Sequence, residues 1–244
     1  MRLLLTNDDG VHAEGLKVLA GELSREHEIC IMAPDRERSG VSHAMSLKEP
    51  GRIRRYSDKE YSCSGTPADC IILAGLGAVP FKPDAVVSGI NRGANLGTDI
   101  VYSGTCGAAR QASLQGLPAI AVSCASFQEP MLYRAAAAFV RRHLLSLLAG
   151  CVAGSFVNVN TPSSEDDGLE GCWAFPSRRS YRDHLRSFEA PDGYSYCFLT
   201  DTIIETAHEP GSDHDIVAGG KISVSSIACQ PQVAGGFAMN ARWS

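Results

Sequence analysis

Short apolar runs that stop at oxygen-rich turns recur along this chain, separated by stretches with apolar residues at helical spacing. Leu3-Leu4-Leu5 is the first such run, and Asn7-Asp8-Asp9-Gly10 halts it. Across residues 13–26, Leu16, Leu19, Ala20 and Leu23 share one helical face. A second strand is expected at residues 28–32, ending in Ala33-Pro34-Asp35. Strand, helix, strand at this spacing predicts a βαβ unit in a parallel sheet. Residues 52–55 and 61–63 flank a polar turn and predict a small peripheral hairpin. Thr66, Pro67 and Asp69 suit the cap, first position and first turn of a helix. Further strands are expected at residues 84–88, 119–123 and 156–160, with helices at 106–114 and 130–148.

Beyond residue 162 the pattern changes. Residues 163–167 are acidic and polar, residues 173–186 mix aromatics with arginines, and residues 194–200 read as a strand after the Asp192-Gly193 turn. A lone hairpin cannot bury itself, so this one is expected to project and pack on another subunit. Residues 221–227 alternate as a strand returning to the sheet, and Gln230 to Ser244 is a Gly-rich, loosely held tail. The expected organisation is an α/β core over residues 1–162. Residues 163–244 extend the same domain with an oligomerisation arm and the returning strand.

Composition narrows the partners. The chain has 244 residues, 44% hydrophobic and 20% charged, with a formal charge of −5, so a real core is affordable. The acidic balance argues against nucleic acid and anionic membranes. No apolar run reaches membrane-spanning length, and Met1-Arg2 leads into only three leucines, short of a signal peptide's apolar stretch. The nine cysteines are scattered without a C-x-x-C pair, which reads as reduced, mostly buried thiols in the cytoplasm.

The candidate chemistry sits where strands stop. Asp8 and Asp9 are adjacent like charges at the carboxyl end of the first strand, where open α/β sheets bind ligands. A divalent cation would neutralise them. Ser39 lies in the polar loop after the second strand, and Asn91 sits just past the strand at 84–88. Gly89, Gly93, Gly97, Asn91 and Asn95 crowd the loop that follows, as close backbone approach to a ligand requires. Ser103-Gly104-Thr105 opens a helix and offers an anion cradle, without the lysine of a P-loop. Each of these residues also has an ordinary use as a turn or cap. Two carboxylates with neutral oxygens suit Mg²⁺ or Mn²⁺, and a metal beside a phosphate site implies phosphoryl chemistry.

These motifs together resemble the stationary-phase survival protein family, SurE. The likeness rests on Asn7-Asp8-Asp9-Gly10, Pro34-Asp35-Arg36 with Arg38-Ser39-Gly40, and Gly65-Thr66-Pro67-Ala68-Asp69-Cys70. It continues in Ser88-Gly89-Ile90-Asn91 with Gly93, Asn95 and Gly97, in Tyr102-Ser103-Gly104-Thr105, and through Val159-Asn160, Arg179, Tyr181 and residues 213–225. The resemblance implies a metal-dependent nucleoside 5′-monophosphatase with a Rossmann-like three-layer sandwich and an exchanged C-terminal arm, in dimers or tetramers. It implies one cation held by Asp8, Asp9, Ser39 and Asn91. Cys106-Gly107 departs from the family's usual small aliphatic residues.

The mechanism expected from this reading places phosphate on Asn95, Ser103, Gly104 and Thr105 and assigns Asp8 to orient the attacking water. Asp9 is the other candidate for that task. No general-base histidine is evident; His12 and His43 lie in the active-site loops as supporting groups. 3′-Nucleotides and short polyphosphate are further candidate substrates. The alternatives are a nucleotide-sugar or nucleotidyl transferase using Asp8-Asp9 to hold Mn²⁺, and a non-catalytic nucleotide sensor.

Overall fold

The computed structural model describes residues 1–126 and 129–231. The tail expected to be loosely held lies outside the described residues beyond 231. The chain begins β1 (Arg2–Thr6), α1 (Glu14–Leu23), β2 (Glu28–Pro34), β3 (Ile53–Ser57), β4 (Glu60–Cys63) and α2 (Pro67–Gly75). It continues β5 (Ala85–Arg92), α3 (Asp99–Tyr102), α4 (Gly104–Leu114), β6 (Ala119–Cys124), α5 (Arg134–Ala149) and β7 (Ser155–Thr161). It closes with β8 (Gly171–Trp173), β9 (Arg179–Glu189), β10 (Ser195–Thr206), α6 (Asp213–Ala218) and β11 (Ile222–Ala228).

The main sheet has the order β3-β4-β2-β1-β5-β6-β7-β11-β8. Its pairings are parallel except β3 with β4 and β11 with β7. Both faces are covered, which explains the unbroken apolar runs in the central strands. Leu3 and Leu5 pack with Leu16, Leu19 and Leu23 of α1 and with α5. Leu4 points to the other face and packs with Cys70 and Ile71 of α2 and Ala108, Ala109 and Ala112 of α4. One strand thus serves two cores, and the architecture is the expected three-layer α/β sandwich.

Helix α2 starts where the capping residues require. The Thr66 hydroxyl accepts from Asp69 N, and the Asp69 carboxylate accepts from Thr66 N, a reciprocal box that satisfies two end donors. The hairpin read as peripheral at residues 52–63 forms, but it is part of the main sheet: β4 pairs in parallel with β2, Met32 opposite Tyr61. Tyr61 and Cys63 are buried there, so burial rather than turn chemistry decides its place. The aromatic segment expected to belong wholly to the arm also divides. Trp173 joins the far edge of the main sheet in β8, and the projecting pair is β9 with β10.

The returning strand, β11, lies antiparallel beside β7 with Ser223 opposite Asn160. Among the described residues no helix is long and apolar enough to cross a membrane. All nine cysteines are free thiols, and Cys197 is the exposed one.

Candidate active site

Chain order across the sheet creates the site. From β1 the chain moves outward to β2, then returns to β5 on the other side of β1. The loops leaving β1 and β5 part there, and a crevice opens at the carboxyl ends of the strands. The cleft is about 300 Å³ and is lined by Asp8, Ser39, Asn91, Asn95 and Ser103, together with Asp99, Tyr102 and Tyr181.

The first loop is closed by Asn7. Its side chain donates to Gly10 O at 3.0 Å and accepts from Gly10 N at 3.2 Å, so this asparagine shapes the turn. Gly10 has φ +103°, and a Cβ there would come within 3.2 Å of the Arg36 carbonyl carbon. That turn delivers Asp8, only 3% exposed, to the N-terminus of α4. Asp8 Oδ1 accepts the Thr105 hydroxyl proton at 2.5 Å. Gly104 is the neighbour on the same side: a Cβ would stand 2.9 Å from Asp8 Oδ2. Burial pushes the Asp8 carboxyl above its usual range, opposed by the Thr105 hydroxyl and by backbone N–H groups of Thr105 and Gly104.

Asp9 accepts from Arg92 N at 3.2 Å. Burial, then the neighbouring Asp8 charge, raises its pKa to about 7. Asp9 lines the adjoining hollow with Glu14, Glu37 and Glu129 rather than the cleft itself, and Arg92 borders both. Asn91 follows a register shift between Ser88 and Asn91 in β5, which re-aims the chain at the strand's end. Its Nδ2 donates to Gly93 O at 2.8 Å, leaving Oδ1 as the free end. The Ser39 hydroxyl is exposed and donates to Glu37 Oε1 at 2.8 Å, with lone pairs to spare.

The donor set fits a hard divalent cation. Burial raises the pKa of both adjacent carboxylates, a cost that a bound cation would relieve, and the added donors are neutral oxygens. Among the described residues no three His, Cys, Asp or Glu side chains gather at metal-binding distance, so neutral oxygens must complete any coordination here.

The four expected phosphate residues divide. Ser103 and Asn95 line the cleft; Gly104 and Thr105 lie behind it against Asp8. The Ser103 hydroxyl caps α4 by accepting from Cys106 N at 3.0 Å. Thr105 is fully buried, and its hydroxyl serves Asp8. Asn95 is held from below. Its N–H donates to Asn160 Oδ1 at 2.7 Å, its carbonyl accepts from Asn158 Nδ2 at 2.9 Å and Asn160 Nδ2 at 3.1 Å, and its own Nδ2 donates to Ser123 Oγ at 2.7 Å. His43 is engaged with Gln111 Oε1 at 2.9 Å, and His12 stacks edge-on with Tyr56. Neither histidine borders the cleft.

Several residues of the site carried no role in the sequence reading. Asp99 accepts from the Arg179 guanidinium and the Tyr181 hydroxyl, tying the root of β9 to the cleft. Fully buried Asp213 accepts from Gly97 N at 2.7 Å and Ser177 N at 2.8 Å. The signal for Asn158 and Asn160 was present: they are amides in a strand whose every residue is buried. Such positions are polar only when they hold something in place.

Residues 3–183 match the family model described as survival protein SurE. The protein named 5′-nucleotidase SurE of Geotalea uraniireducens is 42% identical over 234 residues, covering 93% of this chain and 92% of its own. That of Thermosipho melanesiensis is 40% identical over 235 residues, covering 93% and 91%. The crystal structure of SurE protein from Aquifex aeolicus superposes with a TM-score of 0.80 at 30% identity, covering 95% of each chain. With the family model spanning most of its length, this chain belongs to the SurE family.

Proposed function

We propose that this protein is a metal-dependent 5′-nucleotidase that hydrolyses nucleoside 5′-monophosphates to nucleoside and phosphate. The relatives' shared name supports the reaction. The observation that carries it in this chain is Asp8, buried against the N-terminus of α4 and adjacent to Asp9. Asp8, Asp9, Ser39 and Asn91 would hold one Mg²⁺ or Mn²⁺. When bound, the cation supplies Lewis acidity at phosphate and an acidified water.

The protein's own groups do the rest. Thr105 fixes the Asp8 carboxylate through Oδ1, and that carboxylate would orient the attacking water and take its proton. Ser103 and Asn95 would face the phosphate, while the first N–H groups of α4 hold the Asp8 carboxylate. The network beneath Asn95 keeps that donor from moving as charge develops.

The arm supports a homodimer or homotetramer. Leu185, Phe188, Phe198, Leu199, Ile203 and Ile204 are exposed on β9 and β10, more apolar surface than an isolated hairpin keeps in water. Free thiols throughout suit a reducing compartment such as the cytoplasm.

The test is phosphate release from nucleoside 5′- and 3′-monophosphates and short polyphosphate, with Mn²⁺, Mg²⁺ or EDTA. Release from 5′-nucleotides that EDTA abolishes is expected. Tight nucleotide binding with no release, or release only as a side reaction to transfer onto a second substrate, would overturn the assignment.

A further inference from the structure

The cleft has a chemically mixed lining. Asp8, Ser39, Asn91, Asn95, Asp99 and Ser103 supply polar groups, and Tyr102 and Tyr181 supply two aromatic rings. Tyr102 immediately precedes the cap of α4, so its ring starts one residue from the phosphate-facing hydroxyl. It is 55% exposed, which is unusual for a tyrosine that is also firmly held.

Its placement is specified from two sides. Ser42, at φ +57°, donates from its N–H to Tyr102 O at 2.9 Å and from its hydroxyl to Val101 O at 2.6 Å. The Ser39 loop and the Tyr102 backbone are therefore one unit. On the other side Tyr181 meets Tyr102 edge to face, with ring centroids 5.9 Å apart and planes at 87°. Tyr181 in turn is locked by its hydroxyl bond to Asp99, which also takes the Arg179 guanidinium. An edge-to-face contact uses one face of one ring, so the pair keeps free faces beside the cleft.

We infer that the Tyr102–Tyr181 pair is the wall on which the nucleobase of the substrate stacks, with Tyr102 the residue that sets preference for nucleotides over phosphate esters lacking a base. The inference rests on the phosphomonoesterase reading above and adds a specificity residue to it. Every base has a π face, so stacking tolerates all of them, and discrimination among bases is expected to be weak.

The test compares a nucleoside 5′-monophosphate with glycerol 2-phosphate in wild type, Tyr102→Ala, Tyr102→Phe and Tyr181→Phe, with Mn²⁺ present. Tyr102→Ala should raise the nucleotide KM about tenfold with little change in kcat, and its loss on glycerol 2-phosphate should be several-fold smaller. Tyr102→Phe keeps the ring and should bring the nucleotide KM back to within about twofold of wild type. Tyr181→Phe should give a smaller rise in KM, since the ring remains but its lock on Asp99 is gone. Equal losses on both substrates, or an unchanged nucleotide KM in Tyr102→Ala, would overturn the inference. If the wild type releases phosphate from neither compound, the proposed activity fails by itself. Equilibrium dialysis of the nucleotide against wild type and Tyr102→Ala then still decides the stacking: about tenfold weaker binding supports it, and equal binding refutes it.

Discussion

The cleft and the arm solve opposite problems with the same chain. At the cleft, polar groups are buried and nearly every one is assigned a partner: Thr105 to Asp8, Asn158 and Asn160 to Asn95, Asp213 to Gly97. On the arm, apolar groups are exposed and have only each other, as Phe188 and Phe198 do at 6.1 Å. A buried polar group left unpaired costs about twice what a made hydrogen bond returns, so these pairings favour one arrangement of the cleft. Exposed apolar area has no such directionality and waits for a surface to cover it.

The most severe way to break this contrast is to leave the cleft's shape intact and remove its charge. Asp8→Asn keeps the volume and should lower kcat on the order of a thousandfold, because it removes the proton-accepting oxygen and one cation ligand. Steady-state phosphate release checks it, and turnover near that of wild type would refute the role given to Asp8. The arm is probed by Phe188→Asp with Phe198→Asp. The pair should shift the protein to a smaller species in sedimentation velocity, while urea unfolding of the main sheet changes little. An unaltered sedimentation coefficient would mean that the apolar face is not what joins subunits.

Asp213 tests the junction between the two regions. Asp213→Ala strands the buried N–H groups of Gly97 and Ser177 and should cost about 3 kcal/mol of unfolding free energy, read from urea titration. A loss below about 1 kcal/mol would show that water replaces the carboxylate there.

The smallest expected effect is the pH response of Asp9. Its pKa rises from 3.8 unfolded to about 7 folded, so the folded metal-free chain holds the extra proton between those values. Its contribution is therefore fully present below the unfolded pKa and is lost as pH rises through about 7. Urea midpoints in EDTA should fall between about pH 4 and about pH 7, and Mn²⁺ should offset the fall by neutralising the ionised carboxylate. Mn²⁺ affinity that stays level below about pH 7 would remove Asp9 from the ligand set.

Much of this protein can be read in its residues. Asn7-Asp8-Asp9-Gly10 marks a strand end with paired acids, and the structure adds that Asn7 closes the turn that presents them. Thr66, Pro67 and Asp69 announce a helix start through local hydrogen bonds, and the start is there. The hairpin at residues 52–63 was legible as a hairpin, yet its place in the main sheet was not, because pairing with β2 is a contact across distant sequence. Thr105 shows the same limit. Its position at a helix start suggests a phosphate ligand, while its hydroxyl is turned to Asp8, 97 residues away.

The sequence by itself determined the elements, the layering and the identity of the chemical groups, since periodicity, caps and turns act over a few residues. Only the tertiary structure decided which of those groups meet. Asp8 gains its hydroxyl from α4, Asn95 its support from β6 and β7, and the cleft its aromatic wall from the root of the arm. Each of these contacts joins segments far apart in the chain, and their geometry is set by how strands order in the sheet and helices pack upon it.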